Sequence, residues 1–194
     1  LLFSKYDFNN IGVTSIIGSN LTNLLEGQCL DINLDKLEIL KYDFQYYDEK
    51  KYLDSKTFID EYQKIIDLLP KDFDAKTLDS FIKNINLNFL ETSSLFCLSL
   101  LTPALITSNT KDNTVQKIED SKKVINDLKV WANLFGIAFQ YSDDILDIKQ
   151  DADNNNPNIT FIIGKVVTIK FVFNIIRYLQ SKLIDILRSF HIYS

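Results

Sequence analysis

The sequence predicts an all-α protein, and three observations carry that expectation. Only 5 Gly and 3 Pro occur in 194 residues, too few turn residues for a many-stranded fold. Apolar residues recur three and four apart along much of the chain, which is the spacing of one helix face. The longest and strongest such pattern runs from Val115 to about Gln150 through Val124, Leu128, Trp131, Phe135, Ala138 and Ile145.

The elements follow in chain order. Ile16, Ile17, Leu21, Leu24, Leu25 and Leu30 predict a helix from Ile11 to about Ile32. Asn33 to Lys56 is crowded with Asp, Lys and Tyr, so its apolar pattern is diluted and it reads as a surface excursion. Thr57 to Leu69 is amphipathic and stops at Pro70, because a residue before proline is pushed out of the α region. Asp72 or Asp74 can cap the next helix, through Leu78, Phe81, Ile82 and Ile85. An apolar segment from Leu87 to Ile106 follows, with Pro103 as a point for a bend. Thr107 to Thr114 reads as a polar loop. After the long central helix, Asp151 to Asn158 has turn composition and is expected to form a mobile loop. A Gly164-Lys165 turn then leads to a last helix through Phe171, Ile175, Leu179, Leu183 and Leu187.

With 46% hydrophobic and 24% charged residues, the chain has the apolar content for one core, so a single domain is expected over residues 1–194. The absence of Met and the apolar start at Leu1 point to a chain that has been processed, cut or incompletely represented. A net charge of -5 with no dense Lys/Arg run argues against a nucleic-acid partner. Ser94 to Ile106 is too short and too rich in Ser and Thr to cross a bilayer, so no transmembrane segment is expected and the protein should be soluble, cytoplasmic or organellar. Cys29 and Cys97 lie far apart without CxxC spacing and read as two buried free thiols. The only histidine, His191, leaves little for imidazole-based triads or metal sites. Chemistry here would rest on carboxylates and lysine.

The informative segment is Gly136-Ile137-Ala138-Phe139-Gln140-Tyr141-Ser142-Asp143-Asp144-Ile145-Leu146-Asp147. On a helix, positions 136, 140, 143, 144 and 147 share one face, so three carboxylates converge. Like charges at this spacing destabilise a helix by a few tenths of a kcal/mol per pair, and a bound cation would resolve the conflict. Hard oxygen ligands favour Mg²⁺ completed by water and phosphate. A solvated acidic stripe has the same spacing, so spacing alone leaves both readings open.

Gly-x-x-Phe-Gln-x-x-Asp-Asp-x-x-Asp resembles the second aspartate-rich motif of the trans-prenyl (polyprenyl) diphosphate synthases, the farnesyl and geranylgeranyl group. Gly27-Gln28-Cys29-Leu30-Asp31 resembles the Gly-Gln-x-x-Asp of that family, and Gly164-Lys165 with Thr168 resembles its Gly-Lys-x-Thr flap. The resemblance implies an antiparallel helical bundle of the isoprenoid-synthase type with a central cavity, here lacking N-terminal helices and part of the C-terminus. It implies a prenyltransferase that condenses isopentenyl diphosphate with an allylic diphosphate, with Mg²⁺ held by Asp143, Asp144 and Asp147. It further implies catalytic roles for Asp143, Asp144 and Gln140, and substrate binding by Gln28, Asp31, Thr92 and Lys165. A homodimer or heterodimer is the implied assembly.

The chain also departs from that pattern. No other Asp-Asp-x-x-Asp is present, so the family's first motif is absent. Glu91 stands before Thr92 where the family has a phosphate-binding Lys, Asn156 replaces a Lys before Pro157, and the acid expected near Thr160 is missing. Reversing charge beside a phosphate turns attraction into repulsion. The alternative expectation is therefore a weakly active or non-catalytic partner subunit of a heteromeric prenyl diphosphate synthase.

Overall fold

A computed structural model describes residues 13–33, 69, 73–108 and 115–189. Its regular elements among these residues are all helical, as the composition and spacing predict. They are α1 (Val13–Asn33), α2 (Ala75–Asn88), a π-helical turn (Phe89–Ser93), α3 (Ser94–Ser108), α4 (Val115–Leu146), α5 (Ile148–Asn154), α6 (Ile159–Ile163) and α7 (Lys165–Ser189). Asn33, the first residue of the expected excursion, ends α1, and its remainder over 34–56, almost all of the amphipathic stretch Thr57 to Leu69, and His191 lie outside the described residues.

Of the two candidate caps for α2, Asp74 does the work. Its backbone is extended and its carboxylate accepts from the Thr77 N–H at 2.6 Å, satisfying a donor that the helix itself leaves open. That bond holds the Asp74 carboxyl below its ordinary value.

α4 is the central element. One side buries Val130, Leu134, Ile137, Ala138 and Tyr141 against Phe81 and Ile85 of α2, Ile159 and Ile163 of α6, and Phe171, Val172, Ile175 and Leu179 of α7. Its other side packs Ile125 and Ala132 against Cys97 and Leu101 of α3. Each large apolar side chain so enclosed stabilises the fold by roughly 1.5–3 kcal/mol. Phe81 meets Phe171 edge to face at 5.5 Å, and the Trp131 indole donates to the Leu179 carbonyl at 3.1 Å, locking α4 to α7. Cys97 is buried as expected, its thiol donating to Asn133 Oδ1 at 3.1 Å and pushed up to about 12 by burial. Such a thiol is inert.

Three expectations are corrected. Thr107 and Ser108, expected in a polar loop, belong to α3, which runs through Pro103, and the rest of that expected loop up to Thr114 lies outside the described residues. The central helix is interrupted at Asp147, whose φ of -95° and ψ of 9° leave helical geometry. The Asp151 to Asn158 segment is a loop only over its second half, since α5 carries the helix to Asn154 and Asn155 ends it at φ 56°. Asn tolerates this left-handed conformation, and the Asn156 N–H reaches back to the Asp151 carbonyl at 2.9 Å. Composition marked the turn correctly, but one turn of backbone hydrogen bonding carries the polar residues 151–154 along.

Candidate functional site

The site begins at the π-helical turn. Between α2 and α3 the chain takes one wider coil, Phe89–Ser93, and the Ser94 hydroxyl donates to the Phe89 carbonyl five residues back at 3.0 Å. Such turns rotate the residues they carry relative to the flanking helices. Two glycines let neighbouring helices close on it. A Cβ at Gly136 of α4 would lie 2.6 Å from Ser93 Cα, and one at Gly27 of α1 would lie 3.0 Å from the Glu91 nitrogen. Both glycines belong to motifs singled out in the sequence, and both press on the same five residues. Ser93 completes the joint by donating to the Asn133 carbonyl at 2.8 Å.

With α1, the π turn and α4 drawn together, a cleft of about 860 Å³ opens between them and the segment that follows α4. Its polar wall contains Gln28, Glu91, Thr92, Gln140, Asp143, Asp144, Asp147 and Asp151, and its apolar wall Leu24, Leu95, Phe96 and Phe139. Gln28 Nε2 donates to Glu91 Oε1 at 3.2 Å. Thr92 Oγ1 donates to Gln140 Oε1 at 2.9 Å, and Gln140 Nε2 donates to Asp144 Oδ1 at 3.1 Å. The three carboxylates of the acidic motif differ sharply in environment. Asp143 is exposed, Asp147 is half-buried at the break between α4 and α5, and Asp144 is buried at 7% exposure. Burial pushes the Asp144 carboxyl above its ordinary value, and the charges of Asp151 and Asp143 push the same way. Hydrogen bonds from the Ile159 N–H and Gln140 pull it back.

The structure thus brings Gln28, Thr92, Gln140, Asp143, Asp144 and Asp147 to one cleft. Asp31 lies on α1, and its side chain is outside the described residues. Lys165 starts α7, is exposed, and does not line the cleft; α6 and the corner at Gly164, where φ is 82°, intervene in the chain. Glu91 does line it. Lys83, the nearest lysine before Glu91 in the sequence, pairs with Asp79 at 2.8 Å and is also not a cleft residue. No Lys or Arg occurs among the described residues of the wall.

Asp151 and Asn158 were missed in the sequence. Asn158 donates to the Asp144 backbone carbonyl and to Asp151 Oδ2, both at 2.7 Å. The order Asn158-Ile159-Thr160 was the available signal, since Asn ahead of an apolar run starts a helix.

An all-oxygen wall suits a hard cation. Among the described residues no three acidic, thiol or imidazole side chains gather closely enough to hold an ion by themselves. Magnesium commonly takes one or two carboxylates and fills its remaining positions with water and phosphate oxygens, so the donor set fits that ion when a phosphate ligand completes it. Among the described residues of the cleft, the Asp143 and Asp147 carboxylates make no side-chain hydrogen bond, while each oxygen of Asp144 accepts one, from Gln140 and from the Ile159 N–H. No helix among the described residues is long and apolar enough to cross a membrane. No family model, curated protein or solved structure matches the chain.

Proposed function

We propose that the cleft is the magnesium-diphosphate site of a prenyltransferase of the isoprenoid-synthase type, which condenses isopentenyl diphosphate with an allylic diphosphate. One observation carries this reading. Three sequence segments with the family's order of motifs, at Gln28, Thr92 and Gln140 to Asp147, line a single cleft although they lie far apart in the chain. A solvated acidic stripe would require no such convergence.

In this reading Asp143, Asp144 and Asp147 hold magnesium, each Asp144 oxygen keeping a second lone pair beside its one hydrogen bond, and the ion neutralises the diphosphate leaving group. Gln140 is oriented by Thr92 and in turn orients Asp144, so the polar end of the cleft is preorganised before any ligand arrives. Leu24, Leu95, Phe96 and Phe139 offer the apolar wall that an isoprenoid chain needs.

Glu91 favours a second reading, the weakly active partner subunit. Its carboxylate shares the cleft with four aspartates and no lysine or arginine among the described wall residues. A diphosphate there meets repulsion that only cations relieve.

Thermal unfolding of the protein with magnesium and inorganic diphosphate, alone and together, tests the site. Together they should raise the midpoint, since a ligand that binds only the folded state stabilises it, and Asp143→Asn should abolish most of the rise. Equal shifts in wild type and variant would remove Asp143 from the site. Product formation from the two diphosphates by the chain alone, or only with a co-purifying homologue, separates the two readings.

A further inference from the structure

Asn158 belongs to no motif, yet its side chain makes four hydrogen bonds beside the cleft. It is 2% exposed. Its amide nitrogen uses both hydrogens, one on the Asp144 backbone carbonyl and one on Asp151 Oδ2, each at 2.7 Å. Its amide oxygen accepts from the Thr160 N–H at 2.9 Å and from the Thr160 hydroxyl at 2.6 Å. Every donor and acceptor position of the amide is thereby filled.

A helix cap accounts for the oxygen side of this pattern, because Asn158 stands at the start of α6 with φ -152° and ψ 130°. It does not account for the nitrogen side. The two donor bonds reach backward, to the end of α4 and to α5, and hold the chain so that the next residue, Ile159, aims its N–H at Asp144 Oδ2 at 2.9 Å. With Gln140 on the opposite oxygen, the Asp144 carboxylate is gripped from both sides.

We propose that Asn158 is a positioning residue of the acidic site, a latch that closes the segment after α5 onto α4 and so fixes the Asp144 carboxylate between Gln140 and the Ile159 N–H. Its effect on metal affinity rests on the magnesium reading above, whereas its effect on Ile159 does not. Residues that orient a metal's carboxylates without touching the ion typically change affinity by about 10–100-fold when replaced.

Asn158→Asp separates the two roles. A carboxylate caps a helix as well as an amide, so the bonds from Thr160 survive while both donor bonds are lost. Adding Asp151→Asn reverses the polarity of the 151–158 bridge, with the amide introduced at 151 donating to the carboxylate introduced at 158.

The measurements are calorimetric titration with Mn²⁺ at a fixed excess of inorganic diphosphate, against a protein-free blank, and amide hydrogen exchange at Ile159 and Thr160 by NMR without metal. Asn158→Asp should weaken Mn²⁺ by about 10–100-fold and speed exchange at Ile159 while leaving Thr160 protected. The double variant should recover protection at Ile159 and part of the affinity. Unchanged exchange at Ile159 would make Asn158 a helix cap alone and overturn the latch, whatever the affinity does. Faster exchange with unchanged affinity would overturn its role in the site. If the wild type binds no Mn²⁺ with inorganic diphosphate present, the magnesium reading fails and exchange at Ile159 alone decides the latch. Should Asn158→Asp not fold, Asn158→Ser, which keeps a capping oxygen and drops the amide donors, takes its place under the same criteria.

Discussion

Thr92 on the π-helical turn donates to Gln140 Oε1 on α4 across 2.9 Å, joining residues 48 positions apart in the chain. The bond orients the Gln140 amide so that its nitrogen faces Asp144 Oδ1 at 3.1 Å. Thr92→Val keeps the shape and removes the donor, leaving a half-buried carbonyl oxygen short of a partner. The expected cost is about 1 kcal/mol, read as a lower midpoint in chemical denaturation with an unchanged slope. The diphosphate-induced thermal shift should shrink as well, because Gln140 is then free to turn.

Gly136 and Gly18 make opposite predictions for the same substitution. A Cβ at Gly136 meets backbone of Ser93, at 2.6 Å from Cα and 2.9 Å from nitrogen, so it cannot be accommodated by a rotamer change. Gly136→Ala should cost roughly 1–3 kcal/mol by overpacking. At Gly18 nothing lies within 4 Å and the residue is exposed inside α1, so Gly18→Ala should stabilise by roughly 0.5–1 kcal/mol through helix propensity alone. Urea midpoints of the two variants moving in the same direction would refute the close approach at Ser93.

Glu91 accepts from Gln28 inside the cleft. Glu91→Lys removes one negative charge, adds a positive one, and supplies the ammonium that suits phosphate oxygens. Diphosphate affinity measured by calorimetry should rise, and its dependence on magnesium concentration should weaken. Robust turnover by the wild-type chain alone, with no gain in the variant, would count against the partner-subunit reading.

The pH dependence of stability should carry the signature of Asp144. Its folded carboxyl sits above the ordinary value of 3.8, mainly because of burial, so the folded state binds its proton more tightly than the unfolded chain does. The stability this group contributes is complete below 3.8 and is lost as pH rises through the folded value. Asp74, held low by the Thr77 N–H, acts with the opposite sign and loses its contribution as pH falls. Comparing Asp144→Asn with wild type across acidic pH cancels Asp74 and isolates Asp144. The variant should gain relative stability toward neutral pH, and a difference that stays flat with pH would show that Asp144 titrates normally.

Much of the fold was legible in the sequence because helices are written in local terms. The three-and-four spacing of Val124, Leu128, Trp131, Phe135 and Ala138 defines α4 without reference to any neighbour, and Asp72 or Asp74 marks a helix start by residue type, the structure using Asp74. The phase of that helix also places Gln140, Asp143, Asp144 and Asp147 together, since four residues make about one turn. What periodicity could not specify is the coil at Phe89–Ser93, against which α1 and α4 press closely from two sides at Gly27 and Gly136. Nor could it separate the three aspartates. Their residue type is identical, and only tertiary packing decides that Asp143 meets solvent while Asp144 is buried under Ile159 and held by Gln140. Asn158 and Asp151 escape a reading by spacing for the same reason. Their bond turns on the left-handed corner at Asn155 that folds the chain back, and that closure goes with the burial of Ile159 against α4, a tertiary contact that spacing along the chain does not encode.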